Sequence, residues 1–193
     1  TLAAAIILCS AALWFVPQVY AQKSVLVKER FGMIIDDIKS LLRSPAAVFT
    51  MIVIVLPIGI GAATSLWSSV AGDWQVRAGT VALVTGTLSA VVSMTGSVAG
   101  GWISDKSGKW VAYFGAGILM GTVTLVMTFL PYKSDSYVIG VLLYAMTYGM
   151  ANAAFSGILL NAIGKGMAST KYALLSSLGN IPFPYMTLFD GWM

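Results

Sequence analysis

Six stretches of the chain are almost free of charge and each is long enough to cross a membrane: residues 1–20, 46–66, 80–103, 110–131, 136–161 and 172–192. A helix rises about 1.5 Å per residue, so roughly 20 apolar residues span the ~30 Å hydrocarbon layer. Only helices and closed barrels satisfy their backbone groups in lipid. Barrel strands alternate polar and apolar side chains, and these runs do not. The fold class read from the sequence is therefore all-α, a polytopic membrane helix bundle with six spans.

Composition agrees. Charged residues are 9% of the chain, against about a quarter in a soluble domain, too few to coat a water-facing globule. The lipid bilayer is thus the first expected partner. There is no His, which excludes imidazole-built zinc or haem sites, and no metal or cofactor is expected. Cys9 is the single cysteine, so no intrachain disulfide forms. The net charge of +4 could point to nucleic acid, but the positions of the basic residues give it another meaning. Connections 21–45, 104–109 and 162–171 hold Lys23, Lys28, Arg30, Lys39, Arg43, Lys106, Lys109, Lys165 and Lys171. Connections 67–79 and 132–135 hold only Arg77 and Lys133. By the positive-inside rule the first set is cytoplasmic, and nucleic acid is not a partner. Trp67, Trp74, Trp102, Trp110 and Trp192 fall near span ends, where aromatic belts sit; Trp14 does not. Because both termini then lie outside, the chain reads as a part of a longer transporter-like protein.

Between the first two spans, Phe31, Ile34, Ile35, Ile38, Leu41 and Leu42 recur at helical spacing among Lys28, Glu29, Asp36, Asp37, Lys39 and Arg43. That pattern predicts an amphipathic helix at the cytoplasmic interface. Ser44-Pro45 reads as an N-cap and first-turn proline opening the second span. Three parts follow: residues 1–21 as one span, 22–45 as a cytoplasmic linker, and 46–193 as a transmembrane body.

Between the third and fourth spans lies Gly-Gly-Trp-Ile-Ser-Asp-Lys-Ser-Gly-Lys-Trp, residues 100–110. Its pattern, Gly101, three residues, Asp105, two residues, Gly108, Lys109, resembles the cytoplasmic loop motif of the major facilitator superfamily. Trp110 stands where the family has a second basic residue. The resemblance implies a twelve-helix transporter, with 22–44 as its central loop and this chain as its sixth to eleventh helices. The N-terminal half of the same chain would then be a further partner. A helix N-terminus attracts an anion, Gly101 permits close approach, and Gly108 permits a sharp turn. By the resemblance, these residues form a releasable clasp that stabilises the outward-facing state. An ordinary polar turn with topology-setting lysines is the other reading.

Residues 169–182, STKYALLSSLGNIP, and 185–192, YMTLFDGW, are similar to the penultimate helix of the muropeptide-permease and acetyl-coenzyme A transporter branch. That likeness implies movement of a cell-wall sugar-peptide or an acyl-coenzyme A, proton symport and a bacterial inner membrane.

Two interruptions fall near mid-span: Pro57, Gly59 and Gly61 in the second run, and Gly179, Asn180, Pro182 and Pro184 in the sixth. Proline frees backbone carbonyls, and transporter sites sit near such breaks at the bilayer midplane. Packing kinks would give the same signature. On the fifth run Tyr144, Tyr148, Asn152 and Phe155 fall within about a quarter-turn arc. Polar groups at that depth face the bundle interior, as substrate contacts or as interhelical glue. The candidate path for a small-molecule substrate is therefore Pro57, Gly61, Tyr144, Tyr148, Asn152, Asn180 and Pro182. Thr85, Ser89, Ser93, Ser97 and Gly100 form a small-residue stripe, and Gly96/Gly100 and Gly117/Gly121 are GxxxG pairs expected to pack closely.

No intramembrane carboxylate pair or nucleophile–base arrangement is visible, so an enzyme is not expected. Gly164-Lys165-Gly166 lacks phosphate-loop spacing. The rival to transport is a transporter-like receptor or assembly subunit.

Overall fold

The computed structural model describes residues 27–163 and 168–192; the first apolar run lies outside them. The chain divides into two compact units, Thr1–Met33 and Ile34–Met193, and the second holds everything discussed below. Every regular element among the described residues is helical.

Helix α1, Val27–Arg43, occupies the stretch whose periodicity predicts it. Ser44 then turns the chain, and α2 is Pro45–Val55. Ser44 has extended backbone and its Oγ accepts from the Ala47 N–H at 3.4 Å, with Pro45 just inside the helix start. Both are standard ways of meeting the free donors of a first turn. The part of α1 from Ile34 onward and α2 meet at 91°.

The second apolar run does not form one span. Helix α2 stops after 11 residues, about 16 Å of rise. Leu56 precedes a proline and is extended (φ −74°, ψ 146°), as that position favours. Gly59 and Gly61 then adopt φ +68° and +66°, left-handed conformations open mainly to glycine. A 3₁₀ turn, Ala62–Ser65, and a short helix α3, Trp67–Val70, complete the segment.

Helices α4 (Ala78–Ser107), α5 (Lys109–Phe129) and α6 (Ser134–Ile163) are long and apolar enough to cross a membrane. Within α4, Leu83–Leu88 is a π-helical stretch. The sixth run is also broken: α7 is Ala168–Leu178 and α8 is Pro182–Trp192, with Gly179–Ile181 between them. Among the described residues the expected six spans thus correspond to three unbroken helices and two interrupted segments. A fourth span results only if the bent pair Ile34–Arg43 and Pro45–Val55 counts as one.

Helix α6 is the central post, buried along most of its length from Tyr137 to Ile163. Lipid gives no hydrophobic drive for helix association, so close backbone contact through small residues must supply it. A Cβ added at Gly96 would lie 2.1 Å from Met146 O, one at Gly100 2.5 Å from Met150 Cα, and one at Gly149 2.0 Å from Ser93 O. Helices α4 and α6 therefore touch backbone to backbone, and Ser97 Oγ donates across the seam to Gly149 O at 3.1 Å. The second GxxxG differs from expectation. Gly117 meets the Ile58 side chain, whereas Gly121 has nothing within 4 Å. The glycine of α6 that receives α5 is Gly140, filled by the Met127 side chain.

Val98, Ile118, Phe129, Leu188 and Trp192 are exposed, the pattern of a lipid-facing surface. Trp67 and Trp74 do not join a surface belt as expected: both are buried, in a cluster with Val84, Met120, Tyr137, Val141 and Tyr144. The break in the second run turns α3 inward and carries Trp67 with it.

Candidate functional site

The two interruptions converge. Ile58, Gly59 and Ile60 from the first, and Gly179 and Asn180 from the second, line one cavity of about 360 Å³. Its other walls include Tyr113 of α5, Tyr148, Asn152, Phe155 and Ser156 of α6, and Tyr172 and Ser176 of α7. The side-chain amides of Asn152 and Asn180 make no hydrogen bond to a described residue, so both present donors and acceptors to this space.

Local chemistry explains why the break is stable. Pro57 cannot donate, and carbonyls just before and after it are left without helical partners. Tyr185 of α8 donates its hydroxyl to Val55 O at 2.6 Å, and the Tyr113 hydroxyl donates to Ile58 O. Neither tyrosine carries a sequence signal for this role, since each caps a carbonyl far away in the chain. Gly59 lies against Ala151 and the Tyr113 ring. Gly61 lies flat on the Tyr148 ring, where an added Cβ would come within 2.5 Å.

The residues singled out on α6 do not all share one space. Each four-residue step advances the facing by about 40°, and the small drift divides them. Tyr148 and Asn152 line the cavity just described. Tyr144 turns toward Trp67, ring edge to face at 5.3 Å, and lines a second cavity of about 290 Å³ with Thr64, Trp67, Thr85, Ser89 and Ser93. Tyr148 borders both. Pro57, Gly61 and Pro182 line neither: Pro57 is exposed at the break, Gly61 backs the Tyr148 ring, and Pro182 is buried at the start of α8. No Lys, Arg, Asp or Glu lines either cavity. The arrangement can therefore hold a solute through neutral hydrogen bonds and ring faces, and offers no acid–base pair for chemistry.

The 100–110 loop is a tight corner between α4 and α5. Gly108 has φ +93° and ψ 147°, a backbone that glycine adopts readily. Gly101 has open space beside it; the close contact on this turn belongs to its neighbour Gly100, about 100° around the helix. Asp105 is exposed and makes no ion pair with a described residue. Lys106 Nζ sits 4.1 Å from the centre of the Trp102 ring. Lys109 lies along Gly157 and donates from Nζ to Asn161 Oδ1 at 2.7 Å. That tie joins the start of α5 to the end of α6, and Asn161 was not marked by any motif. Lys171 is buried, beside the Ile34–Leu41 face of α1. No cluster of three or more His, Cys, Asp or Glu that could hold a metal occurs among the described residues.

No curated protein and no solved structure matches the chain significantly. The family model of the Major Facilitator Superfamily matches residues 1–184, nearly the whole chain, and with its apolar helices and polar-lined cavities this multi-pass membrane protein belongs to that superfamily of transporters.

Proposed function

We propose that the chain forms part of a secondary active transporter that moves a small solute by alternating access, with residues 46–193 in its C-terminal half and the 22–45 segment linking the halves. The observation that carries this is the convergence of two broken segments on one cavity with the neutral polar groups of Tyr148, Asn152 and Asn180. Interrupted helices bordering a polar space are where transporters hold substrate. The likeness of residues 169–192 to the muropeptide and acetyl-coenzyme A branch supports a sugar-peptide or an acyl-coenzyme A as the solute, symported with protons across a bacterial inner membrane. The uncharged lining favours the sugar-peptide, because the phosphates of coenzyme A would call for cations at the wall. Asp105, Gly101, Gly108 and Lys109 act as the cytoplasmic clasp between halves, with the anion received by a helix N-terminus of the other half.

The test is accumulation of a labelled sugar-peptide by vesicles carrying the full-length protein. Asn152→Leu is expected to weaken half-saturation by roughly tenfold, as for one or two lost hydrogen bonds, at unchanged abundance. Collapse of abundance with normal affinity in the surviving protein would make Asn152 structural. Binding without accumulation would favour a receptor-like subunit.

A further inference from the structure

Beyond the first cavity, the structure carries a second enclosure whose chemistry is unusually specific. Trp67 is 8% exposed, and its indole Nε1–H is buried without a hydrogen-bond partner among the described residues. A buried donor left unmet is costly and rare. Trp67 forms part of the wall of the 290 Å³ cavity, beside Tyr144 and Tyr148. The same wall carries hydroxyls in two conditions. Thr64 Oγ1 donates to Gly61 O at 2.6 Å and Thr85 Oγ1 to Val81 O at 2.8 Å, so these oxygens remain free only to accept. Ser89 and Ser93 donate to no described residue. The helix that presents Thr85 and Ser89 is widened there by the π-helical stretch, a departure from α geometry often found at functional sites.

We infer that this cavity is a second binding position for an uncharged ring bearing hydroxyl or carbonyl oxygens, such as a sugar, which accepts from Trp67 Nε1–H and rests an apolar face on the aromatic wall. The aromatic rings supply flat surfaces, the indole and the serines supply donors, and the threonines supply acceptors. A charged ligand would find no counter-ion in this lining. Tyr148 stands between this position and the first, so a solute passing from one to the other moves past its ring. This rests on the transport reading, since it gives the path a second station and the solute a chemical class.

The test uses the full-length protein in vesicles with Cys9→Ser and one reporter, Ala90→Cys, on the wall of the second cavity. Modification by a small neutral thiol reagent is followed with glucose, gluconate or glucosamine present as neutral, anionic and cationic probes. Glucose is expected to protect at concentrations at least tenfold below those needed by either charged probe. Trp67→Phe keeps the ring and removes the donor; it should raise the half-protecting concentration of glucose about threefold to tenfold, as for one hydrogen bond, with thermal stability retained. No protection by glucose, or equal protection by the charged probes, overturns the proposal. Protection unchanged in Trp67→Phe overturns it too, and assigns the N–H to a structural water. A second reporter, Ser176→Cys in the first cavity, separates the two ideas. If Ser176→Cys is protected by the transported solute while Ala90→Cys ignores glucose, only the second position falls. If neither reporter is reached from water, the transport reading falls with it.

Discussion

In a Gly149→Ala variant the new methyl would lie 2.0 Å from the Ser93 carbonyl oxygen, where ordinary contact begins at 3.4 Å. Helices α4 and α6 would have to part by about 1.4 Å, the difference of those two distances. The obstacle is backbone, so no rotamer change relieves it. A parting of that size also carries Ser97 Oγ from 3.1 Å to beyond hydrogen-bonding reach of Gly149 O. Overpacking costs about 1–3 kcal/mol, and an interhelical hydrogen bond in a membrane protein is worth about 0.6 kcal/mol on average. Alanine returns up to ~1 kcal/mol of helix propensity. The net loss is about 1–3 kcal/mol. The assay is thermal unfolding of the full-length protein in detergent, read as the fraction surviving as a monodisperse peak after heating. Gly149→Ala should melt several degrees lower. Gly121→Ala, which has open space beside it, should melt at the parental temperature or slightly above. Equal melting of Gly149→Ala and the parent, or an equal fall in Gly121→Ala, would refute the account of the α4–α6 seam.

Three further outcomes are expected. Gly61→Ala combines a left-handed backbone, a penalty of about 1–2 kcal/mol, with a clash against the Tyr148 ring; Tyr148→Ala in the same chain should recover the steric part, measurable as non-additive melting temperatures. Tyr113→Phe strips the donor from the Ile58 carbonyl and should lower stability by about 0.5–1.5 kcal/mol, with faster hydrogen exchange confined to residues near Pro57. Single cysteines at Ser134 and Ser107, with Cys9 replaced, should react with an impermeant thiol reagent on intact cells at Ser134 only; reaction at Ser107 alone would invert the topology.

Much of the architecture was legible from the runs themselves. Length and apolarity suffice for α4, α5 and α6, because a segment that must satisfy its backbone in lipid has few alternatives. Residues 46–66 and 172–192 misled as whole spans, although Pro57, Gly59, Gly61, Asn180 and Pro182 had already marked where they break. Composition counts those residues as neutral, and only backbone geometry shows that two left-handed glycines end the helix. Tyr148, Asn152 and Asn180 meet at one cavity, but Tyr144 leaves it for Trp67, since helical spacing gives an angle and not the identity of the neighbour. Trp67 and Trp74 looked like belt residues by depth alone. Tyr113, Tyr185 and Asn161 gave no sign in advance, because what each meets lies 55, 130 and 52 positions away.

The π-helical stretch at Leu83–Leu88 makes α4 uneven in its tolerance of length. Its wide turn stores a surplus residue, so the register of Ala78–Ala82 is offset from that of Ser89–Ser107. A one-residue deletion inside 83–88 can be taken up by tightening that turn into ordinary α-helix, leaving the downstream glycines where they are. The same deletion between 89 and 96 has no surplus to draw on. It would swing one end of the helix about 100° relative to the other, so that Gly96 and Gly100 could not both keep their seats on Met146 and Met150 while Thr85 and Ser89 kept theirs on the cavity. Natural length variation in this helix should therefore gather in that one turn.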